Sequence, residues 1–238
     1  MSLVELLLGT LVMTVGATLQ ASVGFGSNLV AAPLLLLIDD GYVPAPVVIA
    51  SLVLNLLVAR REGRASVHPG VNVAISGQVL GIVAAGAVLV AVPERGLSLL
   101  FGALVLVAVI LSSAGWYLSP TRRTLAGAGV AAGFMGTVSG IGGPPMALVY
   151  QRVGAATLRA TLARFFLAGG VVSIPTLLLA GEIGRHELGL TASLLPGTVV
   201  GYFVGGRLSS RLDGASIRPI VLGLSAVSAI AVLARELV

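Results

Sequence analysis

Apolar residues run almost without interruption along this chain, and charge is confined to short punctuation between the runs. Between consecutive charged residues the uncharged stretches are 6 to 38, 41 to 59, 65 to 93, 96 to 121, 124 to 151, 165 to 181, 188 to 206 and 219 to 234. A helix crossing a hydrocarbon core about 30 Å thick needs roughly 20 such residues. The pattern therefore predicts a polytopic all-α membrane protein with no soluble domain. Six stretches read as ordinary spans: 43 to 59, 70 to 92, 97 to 117, 160 to 180, 188 to 206 and 219 to 236.

Two stretches do not fit one span. The first, Leu6 to Ile38, has 33 residues, about 50 Å as helix at 1.5 Å per residue. That is too long for one crossing and too short for two crossings and a turn. A re-entrant segment that enters, breaks at Gly24 to Ser27 and returns to its own side fits better. The second, Thr124 to Gln151, has 28 residues and is broken at Gly140 to Pro145, where glycines and two prolines oppose a continuous helix.

The two breaks echo one another. Gly24 and Gly26 of GFGSN align with Gly140 and Gly142 of GIGGPP at an offset of 116, and Gly77, Gly81 and Gly86 align with Gly197, Gly201 and Gly206 at an offset of 120. The chain thus reads as two homologous halves, 1–118 and 119–238, arranged as inverted repeats. Each half has three spanning helices and one Gly-broken, re-entrant helix. The glycine triplets are expected to serve close helix packing, because small residues four apart let transmembrane backbones approach. The alternative is eight simple spans, four in each half.

Charge separates these topologies, since arginine in short loops marks the cytoplasmic side. The net charge is +5, and all fourteen basic residues are arginine. With eight simple spans, Arg60, Arg61, Arg64, Arg122 and Arg123 lie inside while Arg152, Arg159, Arg207, Arg211 and Arg218 lie outside. With two re-entrant segments all ten face the cytoplasm, Asp39, Asp40, Glu182 and Glu187 face out, and Arg95 and Arg185 are exceptions. Both termini then lie outside, and the first apolar segment, which has no basic region before it, is read as retained.

Composition agrees: charged residues make up 10% of the chain, and mean hydropathy is +1.07, against about 25% charged residues in soluble domains. The arginines stand singly or in pairs with no aromatic-interleaved patch, so nucleic acid is not an expected partner. With no cysteine and only His68 and His186, neither a metal site nor a cofactor is expected. No catalytic constellation or phosphate-binding loop is present, so enzyme is the weaker class.

The functional signal lies in the backbone. A helix broken at membrane depth is tolerated only where it is buried in protein or lines a cavity. Ser27 and Asn28 are suited to cap one half-helix, which runs on through Ile38. Pro144 and Pro145, after Gly143, suit the first positions of another. A helix N-terminus carries roughly +0.5 elementary charge and free N–H donors; two meeting near the midplane would cradle a small oxyanion. The plain alternative is that these residues only kink packed helices. Arg159 and Arg164 open the span from 160 to 180 and are candidate charge partners, with snorkelling to the headgroups the ordinary use of such arginines. Gln20, Asn55 and Gln78 are polar residues within spans that line a path or bond between helices.

GFGSNLVAAPLLLL in the first half and GIGGPPMALVY in the second resemble the TauE/SafE family of sulfite and organosulfonate exporters, over essentially the whole chain. This copy has GFGSN where the family often shows a glycine-richer stretch, so Ser27 and Asn28 are expected to add side-chain hydrogen bonds to the ligand. The resemblance implies a secondary transporter in the bacterial cytoplasmic (inner) membrane that exports sulfite or an organosulfonate such as sulfoacetate. The expected substrate frame, read from the two breaks, is Gly24, Gly26, Ser27, Asn28, Gly140, Gly142, Gly143, Pro144 and Pro145, with Arg159 and Arg164 as candidate charge partners beside it. The expected partners are a small sulfur oxyanion and the lipid bilayer, with a homodimer left open. A non-transporting scaffold and a passive anion channel are the rival readings. On the re-entrant topology a cysteine placed at Ser210 is expected to resist a membrane-impermeant thiol reagent applied to intact cells; labelling from outside would overturn that topology.

Overall fold

The computed structural model describes residues 3–113, 116–209, 230 and 234. The described residues are helical with no strand. In chain order the helices are α1 (Leu3–Val23), α2 (Ser27–Leu36), α3 (Ala45–Arg61), α4 (Val71–Ala91), α5 (Glu94–Ser113), α6 (Arg122–Ser139), α7 (Gly143–Tyr150), α8 (Ala155–Leu179) and α9 (Arg185–Leu208). The expected span 219 to 236, apart from residues 230 and 234, lies outside the described residues, as do Arg211, Arg218 and Ser210. Six of the helices, α1, α3, α4, α5, α8 and α9, are long and apolar enough to cross a membrane. Their exposed faces carry large apolar residues such as Leu80, Val90, Val171 and Leu179, which suits a lipid surround.

The expected breaks are where the helices stop. α1 ends at Val23, α2 begins at Ser27, α6 ends at Ser139 and α7 begins at Gly143. With 10 and 8 residues, α2 and α7 reach about 15 and 12 Å, so neither can cross by itself. This argues against eight simple spans.

Each short helix doubles back along the long one before it. A Cβ at Gly16 of α1 would lie 2.7 Å from the Ser27 carbonyl oxygen, and one at Gly9, nearer the start of α1, would meet Tyr42, which follows α2. α7 returns in the same manner along α6, with Met146 and Tyr150 in one apolar cluster with Ala132 and Leu125. The ring of Tyr150 ends 5.0 Å from that of His68, just before α4. The arm α1, at 21 residues, is longer than a shallow re-entrant arm needs and is itself of spanning length.

The hairpin directions gather Arg60, Arg61, Arg64, Arg122, Arg123, Arg152, Arg159 and Arg207 at one face. Two contacts fix that face: Arg159 Nε donates to Glu62 at 2.8 Å, and the His68 N–H donates to Thr161 Oγ1 at 2.9 Å. At the other face His186 Nε2 lies 3.2 Å from Asp39 Oδ2, and the Gly184 N–H donates to Glu187 at 2.8 Å. α8 starts at Ala155, earlier than the expected 160, because Gly154 caps it; Arg159 therefore lies inside the helix.

Glycine seams join non-adjacent elements. A Cβ at Gly77 or Gly81 of α4 would lie 2.2 or 2.1 Å from the carbonyl oxygens of Ala126 and Val130 on α6. One at Gly197, Gly201 or Gly205 of α9 would lie 2.3 to 2.6 Å from those of Thr10, Thr14 and Thr18 on α1. Numbering rises together in both seams, so each pair is parallel and in backbone contact. Gly86 and Gly206 leave the seams: they face Thr176 and Arg61. Gly77→Ala is expected to lower stability by about 1–3 kcal/mol through overpacking. Gly127→Ala, where a Cβ meets nothing within 4 Å, is expected to be neutral or stabilising; thermal unfolding in detergent compares the two.

Candidate functional site

Both breaks use glycine for its backbone. Gly24, Gly26 and Gly140 have φ of 107°, 102° and 74°, values that a side chain resists. Gly26 in this conformation is the N-cap of α2, with no side-chain cap bond; Ser27 and Asn28, expected as caps, are its first helical residues. Their side chains are thereby freed for tertiary bonds. Ser27 Oγ donates to Asn28 Oδ1 at 2.7 Å. Asn28 Nδ2 donates to Ser51 Oγ at 2.8 Å and to the Gly140 carbonyl at 2.9 Å.

The second of those bonds ties one break to the other. Gly143 completes the contact, since a Cβ on it would lie 3.3 Å from Phe25 Cβ and 3.8 Å from the Gly26 nitrogen. Gly142 caps α7, with prolines following in its first turn. Pro144 and Pro145 have no N–H, so of the first three residues of α7 only Gly143 keeps a donor. α2 has no proline in its first three residues, so each of them keeps an N–H.

Where the breaks meet there is a cavity of about 70 Å³, several times the 10–15 Å³ or so that one water needs. Gly26, Asn28, Gly140, Gly142, Gly143 and Pro144 line it. Gly24, Ser27 and Pro145 flank it without lining it. The remaining polar wall comes from α1, α3, α4 and α8: Gln20, Ser51, Asn55, Gln78 and Ser173. Gln20 Nε2 donates to Asn55 Oδ1 at 2.8 Å, and Asn55 Nδ2 donates to the Ser51 carbonyl at 2.7 Å. Ser173 and Thr137 share a hydrogen bond of 2.8 Å.

No charged residue lines the cavity. Arg159 does not reach it: its guanidinium pairs with Glu62, each side chain 12% exposed. Arg61 also pairs with Glu62 at 3.2 Å and donates to the Ala21 carbonyl. These arginines therefore serve the last carbonyls of α1, where a helix end is partially negative. Arg164 is exposed, in keeping with snorkelling. Among the described residues no group of three or more His, Cys, Asp or Glu could hold a metal ion.

Ser51 and Ser173 carried no sequence signal of their own. The pair Gly169–Gly170, one turn before Ser173 and also on the cavity wall, is the feature that could have pointed to α8. Gln20, Asn55 and Gln78 were visible as polar residues inside apolar runs, but nothing in the sequence placed them together.

An uncharged cavity framed by paired helix breaks, among helices long and apolar enough to cross a membrane, suits a transporter, and comparison with known families agrees. The chain matches the family model of the sulfite exporter TauE/SafE over residues 8–232. It belongs to the TauE/SafE family. Curated proteins and solved structures give no match. As a TauE/SafE protein this chain is a multi-pass membrane transporter and not an enzyme, and the family implies export of an anion.

In this TauE/SafE protein Asn28 bridges the two breaks. Asn28→Ala leaves the Gly140 carbonyl without this donor and is expected to cost about 1–3 kcal/mol, read as a lower thermal midpoint in detergent. Arg164→Ala should leave the midpoint unchanged.

Proposed function

We propose that the protein is a secondary exporter that carries a small sulfur oxyanion through the cavity between the two breaks, with sulfite preferred over the bulkier sulfoacetate. The observation that carries this reading is the meeting of two glycine-framed helix N-termini at a cavity with no charged residue on its wall. A helix end supplies up to about half a positive charge without a side chain, α2 more than the proline-bearing α7, so an anion is held by fixed dipoles and released without breaking an ion pair. A cavity of this size suits a compact oxyanion. The carboxylate of sulfoacetate, a second negative charge beside its sulfonate, would have no charged partner on the wall.

In this reading the halves 1–118 and 119–238 are inverted repeats. The reciprocal seams support it: the first helix of each half, α1 or α6, packs on the second spanning helix after the break in the other half, α9 or α4. Rocking one half against the other would expose the cavity to each side in turn. In this reading the membrane is the bacterial inner membrane, with the arginine face cytoplasmic by the positive-inside rule and the acidic loops outside. The glycine faces that a scaffold would offer to partners are already used within the chain.

Proteoliposomes loaded with sulfite test the proposal. Wild-type protein is expected to release sulfite with saturation and counterflow. Gly142→Leu, whose side chain would be driven against the Ala132 carbonyl, should reduce release by at least about tenfold, roughly 1.4 kcal/mol in barrier. Arg164→Ala should stay within about twofold, since its side chain lies off the cavity. Undiminished flux in Gly142→Leu would remove the assigned site; linear flux without counterflow would favour a channel; no flux of any oxyanion would favour a scaffold.

A further inference from the structure

Gln78 lies midway along α4, 4% exposed, with its side chain on the cavity wall. Unlike Gln20, Asn28 and Asn55, whose amides are tied to protein groups, it is bonded to nothing: Oε1 is buried without a partner. Room for this amide is made by Gly169 of α8, where a Cβ would come within 2.1 Å of Nε2. A buried amide is costly to leave unpaired. An open cavity beside it supplies the partner only when something occupies it.

The chemistry of that occupant is constrained from two directions. A primary amide offers N–H donors and one carbonyl acceptor, so a ligand that satisfies both ends must present bare oxygens and one O–H. Charge gives the second constraint. α4 has no charged residue, α6 has only Arg122 and Arg123, and α8 only Arg159 and Arg164. On the other long helices lining the cavity, α1 has Glu5 and α3 has Arg60 and Arg61. None of these lines the cavity. The fixed positive charge facing a ligand is then that of two helix ends, at most about one elementary charge in sum, and a second negative charge would be buried uncompensated.

Resting on the function proposed above, we infer that the bound species is a singly charged oxyanion that keeps one O–H, hydrogensulfite and not the sulfite dianion, and that Gln78 recognises its protonated oxygen. The proton then leaves on the substrate itself. No carboxylate on the cavity wall is needed to carry it.

Calorimetric titration of the full-length protein in detergent tests this, with sulfite, sulfate and methanesulfonate as ligands. Sulfite takes up a proton near neutral pH, sulfate stays a dianion, and methanesulfonate is a monoanion with no O–H. Total sulfite is expected to bind on the order of tenfold tighter at about pH 6 than at about pH 8. Methanesulfonate should bind weakly and change little with pH, which separates titration of the ligand from that of the protein, and sulfate should bind weakly at both. Gln78→Leu should abolish the preference for sulfite over methanesulfonate while methanesulfonate binding persists; if that variant does not fold, the wild-type anion and pH series decides alone. Sulfite affinity that is flat or rises with pH, or methanesulfonate binding as tightly as sulfite, would overturn the inference and leave an anion site standing. Absence of binding by any of the three at either pH would overturn the site and the inference together.

Discussion

A chain that breaks its helix inside hydrocarbon leaves N–H and C=O groups where no water can receive them, and the rest of this structure follows from how those groups are satisfied. The Asn28 amide is the central answer. It donates to the Gly140 carbonyl at the end of α6 and to Ser51 on α3, while Ser27 donates to its carbonyl oxygen. One buried side chain thus joins both breaks to a spanning helix, and an interruption of each helix becomes a shared cavity wall.

The same need is met differently at the far end of α1. Its last carbonyls receive Arg61 and Arg159, and Glu62 sits between the two guanidiniums. Charge is placed where a helix C-terminus is partially negative and close to the arginine-rich face, and it is kept out of the cavity. The cavity is left with dipoles and neutral amides. Such a wall attracts an anion without the deep ion pair that would trap it.

Glycine has two separate duties in this fold. At Gly24, Gly26 and Gly140 it supplies backbone angles that other residues resist. In α4, α6 and α9 it supplies the absence of a side chain, letting parallel helices touch backbone to backbone across the seams. Those seams join α1 to α9 and α4 to α6, so the packing that holds these helix pairs together also sets the breaks face to face.

The helical class, the two breaks and the gathering of arginines on one face were legible in the sequence, because each is written in local terms: run length against bilayer thickness, glycine and proline against helix continuity, and charge against loop position. Residues named from the breaks, Gly26, Asn28, Gly140, Gly142, Gly143 and Pro144, come together at the cavity for the same reason. Arg159 packs beside Gly24 but off the cavity; a sequence shows a charge at a helix start and not the Glu62 carboxylate that pairs with it from another loop. Only the tertiary structure decided that Gly26 caps α2, that Asn28 spans both breaks and that Gln78 stays unpaired. These depend on which helix lies beside which, and hydrophobic burial, which brings the helices together, leaves that choice to side-chain packing between residues far apart in the chain.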